Sequence, residues 1–176
     1  MSIGTEYLRV VRERFIELKG QGEKTFDQLN EDDFHRTSND DSNSIAILIQ
    51  HVSGNMVSRW TDFLTTDGEK PNRNRDGEFE TKRLLKAQLM DHWEHGWCVF
   101  FDALESLHEQ DLEKNVHIRG QAHSIIDAIE RQMAHYAIHI GQVMFIGKQI
   151  KGEQWKSLSI PKGESDAYLA RMLKGK

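Results

Sequence analysis

The sequence predicts an all-α fold, a four-helix bundle with crossover loops and a C-terminal tail packed on it. Two observations lead to this class. Four segments, each about 20 residues or longer, repeat apolar residues at three- and four-residue steps, the period of a helix with one buried side. Only two prolines, Pro71 and Pro161, interrupt the chain, so long runs are free to be helical. No segment gives a strong strand signal, and no internal repeat or low-complexity stretch stands out.

The first helix is expected from about Ile3 to Leu29, on an apolar stripe of Tyr7, Leu8, Val11, Phe15 and Leu18. Gly20 and Gly22 weaken its middle. The acidic, polar stretch from Asn30 to Asn43 reads as a connector. Ser42 or Asn43 is a suitable cap for a second helix running to about Leu64, with Ile45, Leu48, Ile49, Val52, Met56, Trp60 and Phe63 as its core side. Residues Thr65 to Glu78, with two Asp-Gly pairs and Pro71, form a surface loop. The third helix is expected from about Phe79 to Leu107, burying Leu84, Leu85, Leu89, Trp93, Trp97, Phe100, Phe101 and Leu104. After a polar loop from His108 to His123, Ser124 opens the fourth helix, with Asp127 in the place of a capping-box glutamate. That helix continues to about Gln149 on Ile125, Ile129, Met133, Tyr136, Ile140, Val143 and Met144. The tail, Lys151 to Lys176, carries Trp155, Leu158 and Ile160, then a short helix near Asp166 to Leu173. Linkers of about 12–16 residues exceed what tight helical turns need, which suits crossovers above the bundle ends.

A chain of 176 residues fits one domain, here 1–176, with a core large enough to need no staples. The net charge of −5 comes with no basic stripe, so nucleic acid is not an expected partner. No apolar run reaches the roughly 20 residues that span a bilayer, and no membrane association is expected. The first residues, Met-Ser-Ile-Gly-Thr-Glu, lack the pattern of a signal peptide. One cysteine, Cys98, leaves no internal disulfide, and the expected location is the reducing cytoplasm.

The chemistry centres on His135 and His139 in Gln132-Met-Ala-His-Tyr-Ala-Ile-His-Ile-Gly-Gln142. Side chains at i and i+4 leave one side of a helix with Cβ atoms about 5–6 Å apart, which lets two imidazoles converge on one ion. The best third ligand is His51, in His51-Val-Ser-Gly-Asn55. The row Gln132, His135, His139, Gln142 forms a polar edge beside the apolar stripe of the fourth helix, and His51, Asn55 and Arg59 form a similar edge on the second. Two such edges facing across a groove are how bundles build metal sites. Imidazoles alone suit zinc, nickel, copper or iron, and three of them leave positions open, as in catalytic sites. Asn55, Arg59 and Gln142 are placed to orient ligands or substrate. The bland alternative is a hydrogen-bonded surface feature, since nine histidines make a chance pair at this spacing easy to find.

Other clusters are weaker. His92 and His95 stand one turn apart on the third helix and read as a solvated pair, with a second metal site or an acid–base group as the functional alternative. Cys98, beside Trp97, reads as a packed helix cysteine. The paired Glu-x-x-His of di-iron bundles is missing, which argues against a ferritin-like oxidase.

One histidine in the second helix and His-x-x-x-His on the fourth resemble the DinB/YfiT-like superfamily over nearly the whole chain. Asn43-Ser-Ile-Ala46, His51-Val-Ser-Gly-Asn55, His135-Tyr-Ala-Ile-His-Ile-Gly-Gln142 and Trp155-Lys-Ser-Leu-Ser-Ile-Pro161 resemble a bacterial branch of it whose members are of unknown function. The resemblance implies a DinB-type bundle, a divalent metal held by His51, His135 and His139, and a homodimer. Zinc or nickel is the expected metal, with iron, manganese or copper as alternatives. Some members are thiol-dependent transferases or isomerases using bacillithiol, mycothiol or glutathione, so a small thiol is an expected cofactor or substrate. The expected function is therefore a metal-dependent thiol S-transferase, or a hydrolase using the metal to activate water. The alternative is a metal-stabilised, non-catalytic interaction or stress protein, and beyond that a bundle with no metal.

Overall fold

The computed structural model describes residues 2–174. Among them, α-helices dominate: α1 (Ile3–Phe26), α2 (Ile45–Trp60), α3 (Lys86–Glu105), α4 (Ile125–Lys151) and α5 (Ser165–Lys174). Serines start three of these: Ser2, Ser44 and Ser124 each accept a hydrogen bond from the backbone three residues on, satisfying an otherwise orphaned donor. The cap of α2 is thus one or two residues later than the sequence suggested. At α4 the capping box is half made. Ser124 accepts from Asp127, while the Asp127 carboxylate turns to His123 Nδ1 instead of returning to the cap.

The first four helices share one core in which aromatic rings meet edge to face. Phe15 lies 4.4 Å from Phe100, Trp97 5.7 Å from Phe100, and Phe26 5.0 Å from Trp93 between ring centroids. Helix α2 packs on both α3 and α4, and α1 packs on α4. Almost every residue of α2 is buried, as a central helix with apolar residues around most of its circumference must be. No helix among the described residues is long and apolar enough to cross a membrane.

Several expectations need correcting. A two-stranded antiparallel hairpin, β1 (Asn115–Ile118) and β2 (Gln121–Ser124), replaces the loop expected before α4. Its turn places Arg119 and Gly120 at φ +55° and +74°. Both amides donate to the Asp67 carboxylate, at 2.8 and 2.7 Å, so the turn is held from a distant loop. Backbone bonds to this carboxylate, from Glu69 first, at 2.7 Å, and then from Gly120 and Arg119, pull the Asp67 pKa down to about 2 against the effect of burial. Helix α2 ends at Trp60, because Thr61 is extended and Asp62 adopts φ +46°. Helix α3 begins at Lys86 rather than near Phe79, after a 3-10 turn at Asp76–Glu78, and Leu85 is exposed. The Lys86 ammonium then donates to the Phe26 and Leu29 carbonyls at 2.9 Å, closing the end of α1. The tail packs only in its first part. Trp155 lies against Gly147 and the Lys156 amide donates to Gln28 at 2.8 Å, whereas α5 buries no residue. Cys98 is exposed on α3 rather than packed.

The two glycines expected to weaken α1 differ in kind. A Cβ at Gly20 would meet nothing within 4 Å, but one at Gly22 would come 2.8 Å from the Trp93 ring. Trp93 is fully packed between Phe26 and Trp97 and cannot yield. Alanine gains about 1 kcal/mol of helix propensity at either site, whereas overpacking a core costs about 1–3 kcal/mol. Thermal melts should therefore show Gly20→Ala raising Tm and Gly22→Ala lowering it.

Candidate metal centre

Helices α2 and α4 run antiparallel, and their facing polar edges meet in register. Leu48 borders a cleft with Gln142 and Phe145, whereas Arg59 lies beside Gln132 and Ala128, so rising numbers on one helix meet falling numbers on the other. The His51 and His135 Nε2 atoms are 3.2 Å apart, and those of His139 and His135 3.1 Å. One nitrogen from each ring falls in a cluster with all separations within 4.8 Å. Ligand nitrogens about 2.0–2.1 Å from a tetrahedral zinc sit roughly 3.3 Å apart, so two of the three edges are already close to that value.

Protons dictate what this cluster can accept. His51 Nδ1 faces Glu78 Oε2 at 3.0 Å, and His139 Nδ1 faces the Gln142 side-chain oxygen at 2.8 Å. Both partners only accept, so each Nδ1 carries the proton and each Nε2 points a lone pair at His135. His135 can answer one of them with an N–H, not both. A cation at the centre satisfies all three nitrogens, which makes this donor set a fit for a divalent metal.

Glu78 is the key group that the sequence did not reveal. Arg73 donates to both of its oxygens, at 2.8 and 2.9 Å, while His51 donates to one. Burial, the largest influence, raises the Glu78 pKa, yet the bonds from His51 and Arg73 outweigh it and the pKa falls. Gly54, one turn beyond His51, makes this approach feasible: a Cβ there would lie 2.5 Å from Glu78 Oε1. The Phe79 ring covers His51 at 4.6 Å between centroids.

The expected orienting residues divide. Gln142 holds His139 directly. Asn55 accepts from the Tyr136 hydroxyl at 3.2 Å, which in turn accepts from Trp60 Nε1 at 3.2 Å, a buried chain that locks the two helices beside the imidazoles. Arg59 is a further turn away and pairs with Glu69 at 3.5 Å, leaving Nε and Nη1 without partners. His92 and His95 do not join the cluster. They are exposed on α3 and line a cavity on another side of α2.

This is a mostly helical protein with three histidines close enough to hold a metal ion. The chain matches the family described as "Protein of unknown function (DUF1572)" over residues 2–164, and it belongs to that family. No curated protein and no solved structure matches it.

Burial first, then the nearby imidazoles of His139 and His51, push the His135 pKa from 6.5 down to about 3. His139 is lowered too, by burial against the opposing effect of Gln142. Above pH 6.5 neither folded nor unfolded chain takes up these protons. Below it the unfolded chain does and the folded chain resists, so stability must fall as pH drops from 6.5 toward 3. Melts of chelator-treated protein across that range should show Tm decreasing, and the decrease should be smaller in His135→Ala.

Proposed function

We propose that this chain is a single-domain, cytoplasmic, divalent-metal protein of the DinB/YfiT-like four-helix-bundle type, with His51, His135 and His139 as ligands. The observation that carries the reading is the convergence of three Nε2 atoms, with the Nδ1 of His51 and that of His139 tied off by Glu78 and Gln142. Three protein nitrogens leave coordination positions open, the arrangement of catalytic rather than closed structural sites. The proposed activity is metal-dependent chemistry on a small molecule, with S-transfer on a thiol as the class that the superfamily resemblance supports. Zinc or nickel, or failing these iron, manganese or copper, would supply Lewis acidity and would favour a thiol in its thiolate form.

The protein's own groups prepare the ligands for this. Glu78, kept anionic by Arg73, accepts a hydrogen bond from His51 Nδ1–H and so orients the ring with its Nε2 lone pair toward the cluster. Gln142 fixes the orientation of His139. Depressed pKa values keep His135 and His139 neutral, hence ready to bind metal, at pH 7. A cleft of about 610 Å³ runs on from Gln142 along Leu48, Phe145 and Ile146, within the size range of small-molecule sites. Association of two copies is part of the same proposal, supported by Ile138 and Phe145, two turns apart on α4 and both more than half exposed.

Untagged protein purified without a nickel column should carry about one metal ion per chain by elemental analysis. His139→Ala should lose that ion with little change in helical circular dichroism. Metal retained by His139→Ala would remove this residue from the ligand set. Glu78→Gln should weaken metal affinity by about 10- to 100-fold in a competition titration, the usual effect of losing a ligand's hydrogen-bond partner. Light scattering at twice the chain mass would support the homodimer, and the mass of one chain would exclude it.

A further inference from the structure

The cavity on the side of α2 turned toward α3 has a volume of about 610 Å³ and a wall unlike the rest of this acidic chain. Lys70, Arg73 and Lys82 line it against two carboxylates, Asp62 and Glu78. Of these carboxylates Glu78 is already committed to Arg73 and His51. Lys70 spends one bond on the Asp67 carbonyl at 2.6 Å. The side chains of Lys82, His92 and His95, by contrast, make no hydrogen bond or ion pair among the described residues, and all three face this one cavity. His92 and His95 sit at i and i+3 on α3, so both project from one side of that helix. A lysine and two imidazoles that line one cavity without partners among the described residues offer N–H donors to an acceptor that enters it.

We propose that this cavity binds a small, multiply charged oxyanion, a polycarboxylate or a phosphate ester, with Lys82, His92 and His95 as its principal contacts and Lys70 at its edge. Charge-assisted bonds from several donors to one oxyanion are the strong class of hydrogen bond. The volume lies within the range of small-molecule sites. The site is separate from the imidazole cluster, whose Nε2 atoms face α4, and the Glu78–Arg73 pair stands between the two. It therefore holds with or without the metal reading.

Isothermal titration of the full chain with pyrophosphate and, separately, with citrate tests this. Because both probes chelate metals, the titrations use chelator-treated protein and His139→Ala. Saturable binding of at least one probe is expected in both, weakened by added salt. The probe that binds more tightly identifies phosphate or carboxylate as the preferred chemistry. Lys82→Ala alters an exposed side chain and should loosen binding about tenfold, the worth of one charge-assisted contact, and the double variant His92→Ala/His95→Ala, which removes two donors, should loosen it by at least as much. Arg14→Gln, on an exposed face of α1, should leave it unchanged. Absence of saturable binding by either probe overturns the proposal. Equal affinity in the cavity variants, or an equal loss in Arg14→Gln, overturns it as well.

Discussion

Glu78 carries its charge in a place where burial alone would neutralise it. Its side chain is only 10% exposed, and Arg73 and His51, which hold it there, are more deeply buried still. A carboxylate taken out of water costs several kcal/mol, and it stays ionised only where donors replace the lost hydration. Three N–H donors do that here. The same bonds fasten the long segment between α2 and α3 to the face of α2. That segment has little regular structure, so without them it would gain much chain entropy by leaving. One carboxylate thus determines which nitrogen of His51 is free and anchors the segment that walls both the imidazole cluster and the neighbouring cavity.

The seam between α2 and α4 changes character along its length. At one end Leu48 and Phe145 border an open cleft. The imidazoles follow, then the fully enclosed Tyr136, whose hydroxyl burial makes harder to ionise. Beyond it Arg59 is buried, and the loss of hydration lowers its pKa. Polar groups are concentrated in one groove while aromatic packing fills the opposite side of the same helices. Such segregation lets a polar site exist beside the core: Asn55 and Tyr136 are paired across the seam and His51 is paired with Glu78, whereas Arg59 Nε and Nη1 and Gln132 Oε1 lack partners.

Much of this was legible from residue order. The apolar stripes of all four long helices were plain, and most stripe residues lie in or against the core. His51, His135 and His139 were readable too, because helical spacing converts directly into a shared direction. What escaped detection depended on contacts distant in sequence. The hairpin has just two inward apolar residues, Val116 and Ile118, too few for alternation to register, and its turn leans on Asp67 some fifty residues earlier. Glu78 lies in a loop with no periodicity, and its approach to His51 depends on the missing side chain of Gly54. The helix ends shifted for a related reason. Residues 79–85 are apolar enough to suit a helix, but Phe79 is engaged with His51 and residues 76–78 with the Glu78 turn.

The exposure of Cys98 has a practical corollary. It is the sole thiol in the chain and it projects from α3 into solvent. A maleimide dye will therefore attach at one defined position without any engineering. The Asp102 carboxylate beside it raises the thiol pKa, so labelling will proceed faster in mildly alkaline buffer than at neutrality. A fluorophore fixed there becomes a reporter of coloured ions elsewhere in the fold, through quenching whose strength reads out separation.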